Sequence, residues 1–465
     1  MPNAFAYFML IAWPLVTLVL FRRLPADRAL IWSLLGGFLL LPPQPAAFDF
    51  PLLPPFTKDN IPSLAAFVAV LALHRADAPL LPRAPLARLL IAVYVLSPIA
   101  TVLTNAEPAV FGRHVITGLG MKDAAALSIL QFLHLLPFLL ARQLLASGES
   151  LHALLRALAL AGLAYSLPML AEVRLSPQIN TWVYGYFQHI FSQMVRGDGY
   201  RPIVFLYHGL WVAYFAMTAV IAALALWRFS TTRQATLWLF AAVYLAIVLV
   251  LCKSLASLLY MLLLAPLVLL LGVRTQIRVA AVIALLATAY PVLKGAHLVP
   301  TDWILAQAER ISPERANSLR FRLENEEVLQ ARAEEKPLFG WGSWGRNQVY
   351  DGDGRPLTVT DGRWIIAMGV YGWVGFLAEF LLLAMPILLV WRRFGGSRGD
   401  PPPPWAGPLS LLLAINLVEL LPNATLTPIT WLICGALWGL AEAPVRAAAR
   451  EGGGARSEPV WRPVM

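Results

Sequence analysis

Long apolar stretches separated by short polar connections run along almost the whole chain. Thirteen stretches have a composition typical of membrane helices, which need roughly 20 mostly apolar residues to cross a bilayer. The pattern therefore predicts an all-α polytopic membrane protein with about 12–13 transmembrane helices, the second, third and twelfth stretches having the weakest claim. The predicted cores are 5–21, 29–41, 61–73, 86–102, 125–140, 151–171, 204–226, 237–251, 255–271, 279–292, 364–390, 409–421 and 426–441.

The composition supports this interpretation and excludes several classes of protein. Of the 465 residues, 59% are hydrophobic and 13% are charged, whereas a soluble domain is about a quarter charged. The two cysteines, Cys252 and Cys434, lie in or beside apolar stretches, which argues against a disulfide framework or a cysteine-ligated metal. We predict no metal and no cofactor. The N-terminus lacks a charged region and a cleavage site, so its apolar stretch is interpreted as a first span.

The distribution of positive charge predicts the orientation of the chain. The net charge is +10, but it is spread through short loops, which argues against a nucleic-acid partner. Every second short connection carries arginine, for example Arg22, Arg142, Arg228 and Arg393. Cytoplasmic loops are enriched in arginine and lysine, so the N-terminus is predicted outside and the C-terminus in the cytoplasm of a bacterial inner membrane.

These predictions divide the chain into four parts. Residues 1–293 form a bundle of ten spans, with an arginine-containing periplasmic loop at 172–202. Residues 294–363 form a large periplasmic loop between the tenth and eleventh spans, helical at first and then rich in glycine and tryptophan. The last three spans occupy 364–441, and 442–465 is predicted to be a disordered cytoplasmic tail.

The two long outer loops are rich in cations. Long loops are translocated largely regardless of charge, so these cations do not contradict the predicted orientation. Loops longer than about 15 residues are usually functional or disordered. The larger loop does not look disordered, because Ser312 and Pro313 form a good cap and first turn for a helix over 312–335. The cations of both loops suggest binding of an anionic ligand. They include Arg174, Arg196, Arg201, Arg310, Arg315, Arg320, Arg322, Arg332, Lys336, Arg346, Arg355 and Arg363.

Two interpretations remain open for these arginines. Arg320 with Glu324, and Arg322 with Glu326, could form i,i+4 salt bridges on the helix surface. Alternatively, the arginines form a clamp for a diphosphate, because a guanidinium stays charged and binds phosphate through two parallel hydrogen bonds.

The segment 336–345, which alternates glycines with tryptophans, also has two interpretations. Tryptophan is enriched at membrane interfaces, so Trp341 and Trp344 could be structural anchors. Alternatively, this segment lines a saccharide groove, where aromatic faces stack on sugar rings.

Several of these segments resemble the superfamily of O-antigen ligases and O-antigen polymerases, bacterial envelope glycosyltransferases. The resemblance covers the topology of most of the chain, and its local motifs span about 315–380. They are the loop-helix arginine, Pro-Leu-Phe-Gly-Trp-Gly at 337–342, Thr-Asp-Gly at 360–362 and the spaced glycines of 369–375. Gly-Tyr-Arg-Pro at 199–202, before His208 and Gly209, is a weaker match.

The resemblance implies a GT-C-like architecture and metal-independent, inverting transfer from undecaprenyl-diphosphate-linked oligosaccharide on the periplasmic face. The acceptor is lipid A core in ligases and another lipid-linked repeat unit in polymerases. Ligases also use a loop histidine where this chain has Asp361, which favours a polymerase of O-antigen or exopolysaccharide units. We assign Asp361 as base, with Arg320 and Arg322 as the other catalytic residues. The substrate-binding candidates are Arg201, Arg196, Arg315, Trp341 and Trp344.

Other classes of function stay open at this point. A transporter or flippase for lipid-linked oligosaccharide predicts inverted repeats and charges along the spans, but the charges concentrate in loops. A peptidoglycan-type polymerase shares the general topology without a convincing motif match. A non-catalytic assembly subunit is the third alternative. Expected partners are the lipid-linked oligosaccharide, the bilayer, and a chain-length regulator or other polysaccharide assembly proteins.

Overall fold

A computed structural model describes residues 1–74, 79–197, 199–396 and 401–443. All thirteen predicted apolar stretches coincide with helices, although the seventh begins at Gly209 instead of residue 204. Two β-hairpins pair β1 (Ala109–Phe111) with β2 (His114–Ile116) and β3 (Val195–Arg196) with β4 (Gly199–Tyr200). The helices are α1 (Ala4–Arg23), α2 (Ala26–Leu40), α3 (Ile61–Leu73), α4 (Pro85–Leu103), α5 (Met121–Leu144), α6 (Gly148–Leu175), α7 (Ile179–Tyr184), α8 (Gly209–Phe229), α9 (Thr232–Leu251), α10 (Leu255–Leu270), α11 (Val273–Gly295), α12 (Thr301–Ile311), α13 (Pro313–Glu334), α14 (Arg363–Phe394), α15 (Ala406–Glu419) and α16 (Pro428–Glu442).

The length and composition of these helices confirm a polytopic α-helical membrane protein. In the described residues, eight helices are long and apolar enough to cross a bilayer: α1, α4, α5, α6, α8, α9, α11 and α14. Helices α3, α10, α15 and α16 are apolar but shorter, at 10–17 residues. Apolar side chains such as Leu15 and Phe240 remain exposed on α1 and α9, as expected for faces that contact lipid.

Arginines cluster at the end of the bundle where the predicted cytoplasmic connections meet. Arg142 pairs with Glu442 at 2.6 Å, and Arg278 donates to the carbonyl of Gly395. Arg228 donates to Leu271 O at 2.6 Å, so it satisfies a carbonyl at the C-terminus of α10. Residues 444–465, most of the predicted disordered tail, lie outside the described residues.

The opposite end, here called the loop end, is formed by the connections 41–60, 104–120, 176–208, 252–254, 296–362 and 420–427. Contacts between these connections show that they share one end of the bundle. Tyr207 donates to Asp59 at 2.6 Å, and Lys336 donates to Thr104 O at 2.9 Å. All the connections predicted to be extracytoplasmic therefore lie together.

Helix α14 is broken at Gly372, where φ is 67° and ψ is −167°. Arg363 and Glu379 are 16 positions apart, which is roughly 24 Å along a straight helix. Their side chains nevertheless form two hydrogen bonds of 2.6 and 2.5 Å. The first segment, 363–371, must therefore fold back towards the second. The predicted eleventh span, 364–390, is thus not one continuous helix. The second segment alone, 373–394, measures roughly 33 Å and matches the bilayer core.

The Pro-Leu-Phe-Gly-Trp-Gly turn at 337–342 docks into this break. A broken helix leaves backbone groups without intrahelical partners, and the turn supplies partners for four of them. A Cβ at Gly340 would lie 2.5 Å from the carbonyl carbon of Val370, so only glycine permits this approach. The two glycine-rich motifs thus form one structural unit. Its hydrogen bonds are Trp341 N to Gly369 O (2.8 Å), Gly342 N to Val370 O (3.0 Å), Trp373 N to Pro337 O (2.7 Å) and Val374 N to Leu338 O (3.2 Å).

Candidate anion-binding site

Charged side chains from two connections act on His208 at the loop end. Burial, then His189, and then the charges of Arg201, Arg322 and Arg196 together lower the pKa of His208 to about 3. These arginines come from two loops more than 100 positions apart, yet all act on one imidazole. Lys253, from a third connection, contacts the same loop. We call Arg196, Arg201, Lys253 and Arg322 the cationic cluster.

The β3–β4 hairpin and the turn after α9 hold Arg201 in place. The Arg201 side chain is buried and donates to Lys253 O at 2.9 Å. Lys253 in turn donates from Nζ to Arg196 O at 2.8 Å. A Cβ at Gly209 would lie 2.3 Å from Cδ of Arg201, so glycine makes room for this arginine. The pair His208–Gly209 therefore serves the packing of Arg201.

A buried carboxylate fixes the chain just after Arg201. Glu172, at the end of α6, accepts hydrogen bonds from the backbone N–H groups of Ile179, Ile203 and Val204, at 2.9, 2.7 and 2.7 Å. Hydrogen bonds from backbone donors to a carboxylate are among the stronger ones in proteins. The loop 176–208 is thus tied to the bundle on both sides of its hairpin.

His208 is the N-cap of α8 and is held as a neutral ring. Its Nδ1 accepts a hydrogen bond from the backbone N–H of Leu210 at 2.9 Å. Its Nε2 lies 3.4 Å from Oε1 of Gln193, which can only accept. This arrangement selects the tautomer with the proton on Nε2. Both ring nitrogens therefore have partners within the protein, and the ring adds no charge to the site.

Arg322, on α13, contacts the connection 420–427 and also Asp361, which lies on the same connection as α13 itself. Its Nη1 donates to Asn423 Oδ1 at 3.1 Å and to Pro422 O at 3.3 Å, and its Nε lies 3.6 Å from Oδ2 of Asp361. Burial raises the pKa of Asp361, and the charge of Arg322 opposes that rise. A carboxylate and a guanidinium therefore stand side by side at the edge of the cluster.

Arg320 lies outside this arrangement. Residues two apart on a helix point about 200° apart, so Arg320 and Arg322 occupy opposite faces of α13. Arg320 forms a 2.5 Å salt bridge with Glu309 of α12, and its side chain is 46% exposed. Arg315 also lies on α13, but its side chain is outside the described part of the structure.

The expected i,i+4 salt bridges on α13 are not the pairs that form. Arg320 pairs with Glu309 instead of Glu324, and Arg322 lies beside Asp361. Glu326 instead pairs with Lys294 at 2.6 Å and also accepts from Tyr290 and Trp364. These contacts hold the middle of α13 against α11 and α14, because tertiary partners compete successfully with weak pairs along the helix.

The two tryptophans of the turn have different environments. The guanidinium carbon of Arg332 lies 3.3 Å from the ring centroid of Trp341, and Lys336 Nζ lies 4.6 Å from it. Trp341 also donates from Nε1 to Arg332 O at 2.7 Å, so its ring packs against the end of α13. Trp344 is 62% exposed and contacts Asp123 through Nε1 at 3.3 Å. Its ring is accessible to a ligand.

The charge balance of the site favours an anion. Among the described residues, no carboxylate lies within 4 Å of the side-chain cations of Arg196 or Lys253. Guanidinium groups bind phosphate oxygens in a fixed, fork-like geometry. The cationic cluster and the carboxylate of Asp361 can therefore bind a phosphate-bearing ligand and take up a proton beside it.

Two residues near the cluster are not among the predicted site residues. His208 follows the Gly-Tyr-Arg-Pro segment, and that position was a signal. Glu419 is 2% exposed and accepts a hydrogen bond from the amide of Asn423. A carboxylate within an apolar stretch is by itself a functional signal, and Glu419 lies in the stretch 409–421.

The chain was also compared with known proteins. No model of a known protein family matches it, and no curated protein is significantly similar to it.

Proposed function

We propose that this protein transfers or polymerises undecaprenyl-diphosphate-linked oligosaccharide repeat units at the outer surface of the bacterial inner membrane. One observation supports the proposal: the charges of Arg196, Arg201 and Arg322, from two separate connections, all act on His208 at the end of an apolar helix bundle. A site for the diphosphate of a lipid-linked sugar must lie at such a boundary, because the polyprenyl chain stays in the bilayer. The proposed topology has 12–13 spans in a GT-C-like arrangement, with the loop end in the periplasm.

The reaction needs little covalent help from the protein. The diphosphate is a good leaving group, so the protein must stabilise the charge that develops as the sugar–phosphate bond breaks. The guanidinium groups of Arg201 and Arg322 perform this task without a metal, and Arg196 adds to the field. The protein must also orient the acceptor hydroxyl. Asp361 accepts the proton of that hydroxyl, and its raised pKa suits a general base.

A polymerase is favoured over a ligase within this proposal. The histidine that ligases place before the spaced-glycine helix corresponds here to Asp361, whose carboxylate lies 3.6 Å from Nε of Arg322. The acceptor is then the terminal sugar of a second lipid-linked repeat unit. Trp344, with its exposed ring, offers a stacking surface for such a sugar.

The proposal is tested with purified protein in lipid nanodiscs, supplied with lipid-linked repeat units as both donor and acceptor. Products longer than one repeat unit support a polymerase. Transfer to added lipid A core instead identifies a ligase. Absence of both products from folded protein, with repeat units from several polysaccharides, contradicts glycan transfer and favours a transporter or an assembly subunit.

The controls for this assay come from two positions on α13, Arg322 in the middle of the helix and Glu334 at its end. Arg322→Ala should lose product, because it removes a guanidinium from the cluster. Glu334→Gln should retain product, since Glu334 is exposed and contacts Gln330 of the same helix. Both variants should reach the membrane in normal amounts.

A further inference from the structure

Glu419 is a buried carboxylate next to the cationic cluster with no role in the reaction described above. It is the last residue of α15 and is 2% exposed. Its Oε1 accepts hydrogen bonds from Asn423 Nδ2 at 2.9 Å and from Thr425 Oγ1 at 3.3 Å. Burying a polar group is costly unless it is hydrogen-bonded, and this carboxylate is held by two side-chain donors of the connection 420–427.

The hydrogen bond from Asn423 determines which way its amide points. A carboxylate only accepts, so the Asn423 nitrogen must face Glu419 and the amide oxygen must face away. That oxygen lies 3.1 Å from Nη1 of Arg322, which can only donate. A chain of fixed polarity therefore runs from Glu419 through Asn423 to Arg322.

The backbone of Asn423 holds this chain in place. Its N–H donates to Glu419 O at 3.1 Å, and its carbonyl accepts from Arg363 N at 3.2 Å. The neighbouring Pro422 carbonyl lies 3.3 Å from Nη1 of Arg322. Arg322 thus donates to two acceptors on the connection 420–427, the Pro422 carbonyl and the Asn423 side chain. Of these, only the Asn423 side chain depends on another side chain, that of Glu419, for its orientation.

We propose that Glu419 is a positioning residue for Arg322. It acts through Asn423 and holds the guanidinium in the orientation that binds the diphosphate of the lipid-linked donor. This inference rests on the proposed function for the identity of the ligand. Misplacement of a binding group by about 1 Å can cost about 100-fold in rate. We therefore expect loss of Glu419 to lower kcat/KM by about 10- to 100-fold.

The test exchanges the carboxylate of Glu419 and the amide of Asn423. Glu419→Gln replaces one acceptor oxygen of the side chain that orients Asn423 by an NH2 donor. Asn423→Asp places a second carboxylate against Glu419. The double variant, Glu419→Gln with Asn423→Asp, restores a donor facing an acceptor and again presents an oxygen to Arg322. Each single variant should weaken binding about tenfold or more, and the double variant should return to within about threefold of the wild type.

The measurements separate binding from turnover. Affinity for farnesyl diphosphate is measured in nanodiscs by calorimetry, alongside kcat and KM for the lipid-linked repeat unit. Thermal unfolding verifies that each variant is folded, and Glu334→Gln serves as a matched glutamate-to-glutamine control. If Glu419→Gln does not fold, Asn423→Ala carries the test, and its affinity should fall as far as that of Arg322→Ala.

The outcomes distinguish this inference from the proposed function. If the wild type binds and transfers but Glu419→Gln has unchanged affinity, the positioning role is overturned and the function stands. A double variant no better than the single ones likewise overturns it, because Glu419 would then act as packing alone. If the wild type binds no farnesyl diphosphate, the proposed function fails and this inference fails with it.

Discussion

Replacing Gly372 by alanine should undock the glycine-tryptophan turn from the broken helix α14. The backbone of Gly372, at φ 67° and ψ −167°, lies in a region that is essentially restricted to glycine, where another residue costs about 1–3 kcal/mol. The added Cβ would also lie 2.3 Å from the carbonyl carbon and oxygen of Leu338. Relieving that clash separates the turn from α14 and strains the hydrogen bonds of Trp373 and Val374, each about 1 kcal/mol. We expect a total loss of at least about 3 kcal/mol.

The assay is thermal unfolding of the purified protein in detergent, combined with limited trypsin digestion. Gly372→Ala should lower the Tm, and cleavage after Arg346, which is buried directly behind the turn, should appear at temperatures where the wild type resists. Gly272→Ala is the matched control, because a Cβ there meets no atom within 4 Å and φ is −63°. An unchanged Tm and digestion pattern for Gly372→Ala would refute the argument that the break organises the loop.

Three further predictions concern the cluster and its surroundings. Arg322→Ala should lower the rate of transfer about 100-fold. Arg320→Ala should leave the rate within about threefold of the wild type, because the exposed pair of Arg320 with Glu309 contributes at most about 1 kcal/mol. Equal losses for the two variants in a transfer assay would contradict the geometry of α13. Trp344→Ala should raise KM about fivefold at unchanged Tm, since a stacked ring contributes about 1 kcal/mol, and a lowered Tm would indicate an anchor instead. Burial lowers the pKa of Lys58 from 10.5 to about 7, so the unfolded chain binds this proton more readily than the folded protein does. The Tm of the wild type, relative to that of Lys58→Met, should therefore rise between pH 7 and pH 10. A Tm difference that does not change with pH would show that this lysine titrates normally.

The helices could be predicted because the bilayer imposes a simple rule on the sequence. Apolar stretches of sufficient length must form helices to satisfy their backbone hydrogen bonds in lipid, and all thirteen stretches do so. The break in α14 could not be predicted by the same rule. The segment 369–375 is apolar throughout, so hydropathy shows one continuous span. The break depends on the backbone of Gly372 and on its partners in a distant turn.

The site was predictable only as a set of candidates. Charge in the outer loops identified Arg201 and Arg322 but equally identified Arg320. The choice between Arg320 and Arg322 depends on which face of α13 meets the bundle, and the contacts of Glu326 decide that. The hydrogen bonds of Arg322 to Pro422 and Asn423 are tertiary contacts between connections, and no local pattern encodes them.

The two glycine-rich motifs of the family resemblance, 337–342 and 369–375, have an indirect relation to the proposed chemistry. The 337–342 turn contributes no charged group to the cluster; it locks the C-terminal end of the loop onto the break in α14. Lys294 and Trp364 hold the middle of α13 through Glu326. With both points fixed, α13 can present Arg322 to Asn423 in only one rotational setting. The glycines therefore determine where a guanidinium lies without touching the ligand, and loosening the turn should weaken diphosphate binding even though every cation of the cluster remains in the chain.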